Sequence, residues 1–133
     1  EGSGNGDDLC ADGKPAGLIM SYTGQGCSAS KNAQDPGKTS CSGDAAMAPR
    51  VHIVAQDDNG DEIYFDGEVD LNTMFTIDAK RADETKLNNE IFVKIYDLQG
   101  NLLEEVEFHA SCSQPLRQFD RFGSSIVLGM SFE

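Results

Sequence analysis

Short runs in which apolar and polar residues alternate are the feature that most constrains the fold of this chain. In the segment 50–56, Val51, Ile53 and Ala55 fall on one face and polar residues fall on the other. A period of two is that of a β-strand with one buried face, whereas no stretch of about 12 residues has the period of a helix. Six further short segments carry apolar residues in strand-like patterns: 16–23, 62–65, 75–79, 91–96, 102–109 and 126–132.

Turn residues separate these segments and predict hairpins. Asn59-Gly60 stands between two strand segments, and this dipeptide is typical of a two-residue turn in which both residues have positive φ. The segment 97–101 predicts a second hairpin, whose second arm directs Val106 and Phe108 inward. We therefore predict an all-β fold, an antiparallel β-sandwich of about seven or eight strands with Greek-key-like connections.

The length of the chain limits its domain organisation, and its net charge limits its possible binding partners. The chain has 133 residues, which predicts a single domain over residues 10–133 behind a flexible lead-in of residues 1–9. Its formal charge of −13 argues against nucleic acid or an anionic membrane as the partner, because phosphates would be repelled. No apolar run approaches the roughly 18 residues of a membrane span. We expect the isolated domain to be monomeric.

Four cysteines, an even number, predict two disulfides and an oxidising compartment. Three pairings are possible, and we favour Cys27–Cys41 together with Cys10–Cys112. The first would restrain the long Gly- and Ser-rich loop predicted over 24–49, and the second would tie the N-terminus to a late strand. The alternative is four buried free thiols in a cytosolic protein. A structural zinc site is poorly supported, because no Cys-x-x-Cys motif and only two histidines are present.

Acidic residues are concentrated between Val51 and Ala79, where eight carboxylates occur without any Lys or Arg. Two interpretations remain open: a solvated acidic face around the Asn-Gly turn, or a Ca²⁺ ion held by loop carboxylates at the edge of the sandwich. An EF-hand is disfavoured, since Glu62 stands where that loop requires glycine and strands flank it. The candidate calcium ligands are Asp57, Asp58, Asp61, Glu62, Asp66 and Glu68.

The segment 109–121 is the candidate ligand-binding loop, because it gathers a histidine, hydroxyls, an amide and guanidiniums around a cysteine. The alternative is a strand end whose polar groups satisfy the backbone. Catalysis by Ser111 or Ser113 is disfavoured, since no nucleophile-elbow motif or orienting acid accompanies them. The candidate ligand-binding residues are His109, Ser111, Ser113, Gln114, Arg117, Asp120 and Arg121.

Isolated polar and aromatic strand residues are expected to be structural. His52 alternates with core residues, which is typical of a surface histidine or one satisfied in the core rather than of a ligand. The rings of Tyr22, Tyr64 and Tyr96 lie on separate predicted strands, and we expect them to pack in the core.

The most specific motif of the chain is Phe108-His109-x-Ser111-Cys112-Ser113-Gln114-Pro115-Leu116. Together with several shorter motifs, it resembles a family of uncharacterised, cysteine-containing modules from secreted multidomain surface proteins of bacteria and microbial algae. The resemblance implies an extracellular module, usually one of several in a chain, and it implies no activity and no functional residue. The weaker matching pieces are Gly13-Lys14-Pro15, Leu18, Tyr22-Thr23-Gly24 with Cys27, Phe65-x-Gly67-x-Val69, Asp120 and Phe122-Gly123.

These observations predict a non-catalytic extracellular or cell-surface module for binding, adhesion or surface architecture, with Ca²⁺ as its candidate cofactor. Its expected partner is an extracellular glycan, protein or mineral surface. The alternative function is a carbohydrate- or small-ligand-binding module that uses the 109–121 loop. An enzyme is not expected.

Overall fold

The computed structural model describes residues 15–24, 31–32, 39–41, 48–110, 118–123 and 125–132, without the side chains of 31–32, 39–41 and 132. These residues form ten strands and one 3₁₀ helix, Ala79–Ala82. The all-β prediction is confirmed. The strands are β1 Gly17–Tyr22, β2 Lys31–Asn32, β3 Thr39–Cys41, β4 Arg50–Asp57, β5 Ile63–Asp70, β6 Thr73–Asp78, β7 Glu90–Tyr96, β8 Leu102–His109, β9 Arg121–Gly123 and β10 Ile126–Phe132.

The strands form two antiparallel sheets of five strands each. Sheet I has the order β2-β9-β10-β1-β6, and sheet II has the order β3-β8-β7-β4-β5. The chain passes between the sheets after β2, after β5, after β6 and after β8. In sheet I, the first strand lies between β10 and β6, so that strands far apart in sequence are hydrogen-bonded neighbours.

Alternation along the strands places one face of each sheet in a shared core. Ile91, Val93 and Ile95 of β7 are fully buried, and their neighbours along the strand are not. The rings of Phe108 in sheet II and Phe122 in sheet I stack with centroids 4.5 Å apart, which joins the two layers. Burial of such apolar side chains is the main term that stabilises a fold of this kind.

Three local expectations were wrong. The predicted loop over 24–49 contains β2 and β3, because strands of two and three residues are too short to show a period. Of Asn59 and Gly60, only Gly60 has a positive φ, at 77°. The turn is therefore not the two-residue type, and the chain closes by a bond from Asp57 N–H to the Glu62 carbonyl at 3.1 Å. Tyr96 points away from the core, whereas Tyr22 and Tyr64 are buried.

One guanidinium covers the side of the sandwich where the edge strands β5 and β6 meet. Arg81, in the 3₁₀ helix, donates to the carbonyl of Tyr64 in β5 at 3.0 Å and to the carbonyl of Thr76 in β6. The same guanidinium lies 5.2 Å from the centroid of the Phe65 ring. Edge carbonyls that are bonded in this way are not open to pairing with another chain.

Candidate functional site

The outer face of sheet II is a strongly charged surface in the part of the chain that the structure describes. The side chains that point away from the core on β4, β5, β7 and β8 form this face. Six of them are carboxylates and two are Lys or Arg. The outer face consists of Arg50, His52, Val54, Gln56, Asp66, Glu68, Asp70, Glu90, Phe92, Lys94, Tyr96, Glu105, Glu107 and His109.

Strand register arranges these residues in rows across the sheet. His52 is paired with Glu68 on one side and with Tyr96 on the other. In the next row, Val54 lies between Asp66 and Lys94. Neighbours within a row lie about 5 Å apart, so a partner that spans the face would meet several carboxylates at once.

Some charges on this face pair with one another. Arg50 Nε donates to Asp70 Oδ1 at 2.7 Å, and its Nη1 lies 3.2 Å from Glu68 Oε1. His52 Nε2 is 2.5 Å from Asp66 Oδ1, and His109 Nε2 is 3.7 Å from Glu90 Oε2. Ion pairs at exposed positions contribute little to stability.

A shallow hollow lies on the outer face beside the β7–β8 turn. Its volume is about 320 Å³. The rings of His52 and Tyr96 meet edge to face at one side, with centroids 6.3 Å apart. Leu98 is 52% exposed at the other side. The lining residues are His52, Val54, Tyr96, Asp97, Leu98 and Gly100.

Four of the predicted calcium ligands lie at the β4–β5 turn. The first of them, Asp57, already accepts hydrogen bonds within the turn. Asp57 is only 2% exposed. Its Oδ1 accepts the N–H groups of Asp61 at 3.0 Å and Glu62 at 3.2 Å. Its Oδ2 accepts the side-chain amide of Asn88 at 3.1 Å. Asp57 thus holds a turn and ties it to the segment that precedes β7.

Further carboxylates from the segment after the 3₁₀ helix approach this turn. Partial desolvation, together with the charges of Glu84, Asp57, Asp61 and Asp83, raises the pKa of Glu62. Tyr64 donates from its hydroxyl to Glu84 at 3.3 Å and accepts the N–H of Asn88 at 3.2 Å. Burial, and the nearby Glu84 and Asp57 charges, raise the pKa of Tyr64 to about 12.

The other two predicted calcium ligands, Asp66 and Glu68, lie on the outer face with His52 and Arg50 rather than at the turn. The structure therefore divides the predicted ligand set between two places. Within residues 15–24, 48–110, 118–123 and 125–131, no group of three or more His, Cys, Asp or Glu is arranged to hold a metal ion. Calcium binding stays a prediction.

The predicted ligand-binding loop is described only at its ends. His109 lies on the outer face of sheet II, whereas Arg121 begins β9 in sheet I and donates to the Thr23 hydroxyl at 3.3 Å. Asp120 precedes β9, and its carbonyl accepts the N–H of Leu128 at 2.8 Å. Ser111, Ser113, Gln114 and Arg117 lie outside the described residues. So do Cys10, Cys27, Cys112 and the side chain of Cys41, and with them the predicted disulfides.

Three features of the surface and core were not predicted from the sequence. Phe119 lies within the predicted 109–121 loop, adopts a φ of 73° and is 67% exposed, and nothing in the sequence indicates this exposure. Glu104 is 1% exposed on β8, and its charge adds to burial in raising the pKa of Tyr22 to about 12. The strand period could have identified Glu104 as inward and Tyr96 as outward, because Val106 and Ile95 fix the orientation of their strands.

One family model matches the chain over residues 14–130, and its description is Domain of unknown function (DUF7467). The chain belongs to this family. No curated protein and no solved structure matches it. Within the described part of this DUF7467 domain, no helix is long and apolar enough to span a membrane.

Proposed function

We propose that the chain is a non-catalytic, extracellular binding module whose binding surface is the outer face of sheet II. The observation that carries this proposal is the excess of six carboxylates over two Lys or Arg side chains on one ordered sheet face. A surface with a net charge of one sign accelerates encounter with a partner of the opposite sign and repels partners of its own sign. The partner is accordingly a basic protein or another cationic surface polymer.

The sheet suits this role because its charges are held on hydrogen-bonded strands rather than on loops. β4 and β7 form the centre of the face and are paired with strands on both sides. Their inward residues are fully buried in the core, which fixes the orientation of the outward ones. A rigid array of this kind binds without the entropy cost of ordering a loop.

A charge-neutralised variant tests the proposal. In the outer-face variant, Asp66→Asn, Glu68→Gln and Glu105→Gln remove three carboxylates while retaining side-chain size. In the matched control, Asp58→Asn, Asp61→Asn and Asp83→Asn remove three exposed carboxylates that lie off this face. Binding of a tetralysine peptide is measured by calorimetry at low and at physiological ionic strength.

We expect the outer-face variant to lose about tenfold in affinity, because each charge pair at an exposed site contributes roughly 0.2–1 kcal/mol. The control variant should lose much less. Equal losses in the two variants would show that net charge alone attracts the peptide, and the proposal would then be wrong.

The finer features of the module are proposals that rest on the sequence. Two disulfides are supported by the even number of cysteines, and thiol titration of the native protein tests them. A calcium-stabilised form is supported by the carboxylates of the β4–β5 turn, and a thermal melt with and without millimolar CaCl₂ tests it. An enzyme would require Ser111 or Ser113 to react with a fluorophosphonate probe, and we expect no labelling.

A glycan-binding role for the 109–121 segment is the second candidate function. The exposed ring of Phe119 favours it, since sugars stack on exposed aromatic rings at binding sites. A glycan array probed with the native chain and with the Arg117→Ala, Arg121→Ala variant distinguishes the candidates. Glycan binding that the double substitution removes would favour this second role.

A further inference from the structure

We infer that the hollow beside the β7–β8 turn is a subsite for a single lysine or arginine side chain of the cationic partner. This inference rests on the proposed function and deepens it. The hollow combines an apolar wall, an aromatic ring and nearby carboxylates, which is the chemistry that a cation on an aliphatic stem requires.

The apolar part of the hollow suits the methylene stem. Val54 and Leu98 line it, and Leu98, in the turn between β7 and β8, is half-exposed. Tyr96 supplies a ring over which a cation can lie, with its position fixed by the strand and by the edge-to-face contact with His52. An aliphatic stem on these groups would remove apolar surface from water that the isolated domain leaves exposed.

Charge determines which class of ligand can enter. Asp97 lines the hollow, and Asp66 lies 2.5 Å from the lining residue His52. Among the described residues, neither Lys nor Arg lines the hollow. Lys94 is the cross-strand neighbour of the lining residue Val54, and on its other side it is paired with Glu105. A phosphate, sulfate or uronate in the hollow would therefore face the Asp97 carboxylate, with no Lys or Arg among the described lining residues to receive it.

A neutral sugar fits the hollow less well than a cation does. Sugar hydroxyls need directed hydrogen-bonding groups, but the carboxylate of Asp97 already accepts the N–H groups of Gln99 and Asn101 and the amide of Asn101. His52 is likewise engaged with Asp66. A cation responds to the field of carboxylates that are already hydrogen-bonded, so these internal bonds do not prevent its binding.

Titration with a tetralysine peptide, followed by ¹⁵N–¹H correlation spectra, tests the inference. The variants Tyr96→Ala and Leu98→Ala each remove part of the hollow without changing the charge. Phe92→Ala is the matched control, because Phe92 points outward on the same strand as Tyr96 but does not line the hollow. A peptide of acetylated lysines keeps the stem and removes the charge.

We expect the largest shifts at the amides of Val54, Tyr96, Leu98 and Gly100. Tyr96→Ala should weaken binding about fivefold, in line with an exposed cation–π contact, and Phe92→Ala should weaken it by less than about twofold. Leu98→Ala is a surface change in a turn, so it tests the hollow even where Tyr96→Ala disturbs the sheet. The acetylated peptide should not shift these amides.

Three results would overturn the inference. Shifts spread evenly over sheet II, with Tyr96→Ala equal to Phe92→Ala, would reject the hollow and leave the proposed acidic binding face intact. An absence of shifts anywhere on sheet II would reject both. Shifts at the hollow from a neutral methyl glycoside, without any from tetralysine, would assign the hollow to sugars.

Discussion

The two hairpins of sheet II, β4–β5 and β7–β8, have similar hydrogen bonds in their turns but lie in different surroundings. Each begins its turn with an aspartate whose Oδ1 accepts two backbone N–H groups of the turn. Each also has a left-handed glycine three residues after the aspartate, Gly60 with φ 77° and Gly100 with φ 93°. Asp57, however, is buried and bonds to Asn88, which lies 31 residues away, whereas Asp97 is partly exposed and bonds to Asn101 in its own turn.

This difference shows that the same aspartate-and-glycine turn motif can either close its own turn or also fasten a distant segment. The β7–β8 turn is complete in itself, because its second carboxylate oxygen is satisfied within five residues of sequence. The β4–β5 turn is part of the tertiary structure, since the corresponding oxygen of Asp57 fastens the segment that leads into β7. A substitution at Asp57 should therefore affect the whole domain, and one at Asp97 should remain local.

The largest expected effect is that of Asp57→Ala. The substitution leaves two backbone N–H groups and the Asn88 amide without their acceptor in a buried place, which should cost about 3 kcal/mol of unfolding free energy. Urea denaturation measures this loss. Asn88→Ala should cost less, and a double-mutant cycle should show coupling of the two residues. Additive losses would mean that Asp57 acts on its turn alone.

Next in size are the glycine substitutions. Gly60→Ala and Gly100→Ala each force a side chain into the left-handed region, at a cost of about 1 kcal/mol. Gly60→Ala should cost more, because its Cβ would lie 3.2 Å from Gln56 Nε2, whereas nothing lies within 4 Å of a Cβ at position 100. Denaturation midpoints of the two variants test this order. A larger loss at position 100 would contradict it.

Asp97→Ala should cost less stability than any of these changes, because the turn is exposed. Hydrogen bonds from the Asn101 amide and from the backbone of Asn101, Gln99 and Gly100 lower the pKa of Asp97 below its ordinary value of 3.8. Because this pKa is lowered in the folded state, the contribution of Asp97 to the free energy of unfolding is present above pH 3.8. It is lost as the pH falls through the pKa that Asp97 has in the folded chain. Carbon-detected titration of the carboxyl group should show a midpoint below the ordinary one, and Asn101→Ala should raise it.

The smallest expected effect is a gain from Glu62→Gln. The pKa of Glu62 is raised, so its ionised form is less favourable in the folded chain than in the unfolded chain. The contribution of Glu62 to the free energy of unfolding is therefore fully present below the ordinary glutamate pKa. It is lost as the pH rises through the pKa that Glu62 has in the folded chain. Glu62→Gln should raise the denaturation midpoint at pH 7 and leave it unchanged near pH 3. A decrease at pH 7 would show that the Glu62 charge is stabilising.

The sequence predicted what short-range periodicity determines. The segments around Val51, Val93 and Val106 were placed on strands with the correct face inward, and both hairpins were located from their turn residues. Periodicity could not show the bond between Asp57 and Asn88, because that contact depends on how the segment before β7 returns to sheet II. The division of the predicted calcium ligands has the same origin. Asp66 and Glu68 belong to strand positions, and strand parity sends their side chains to a different surface from the turn.

We propose that the outer face of sheet II, and not the acidic chain as a whole, receives a cationic partner. A tetralysine peptide that carries a nitroxide label tests it most directly, through paramagnetic broadening of the backbone amides. We predict broadening of β4, β5, β7 and β8, greatest near Tyr96, and little effect on β1 and β10 of sheet I. Equal broadening of both sheets, or broadening strongest at the β4–β5 turn, would contradict the account.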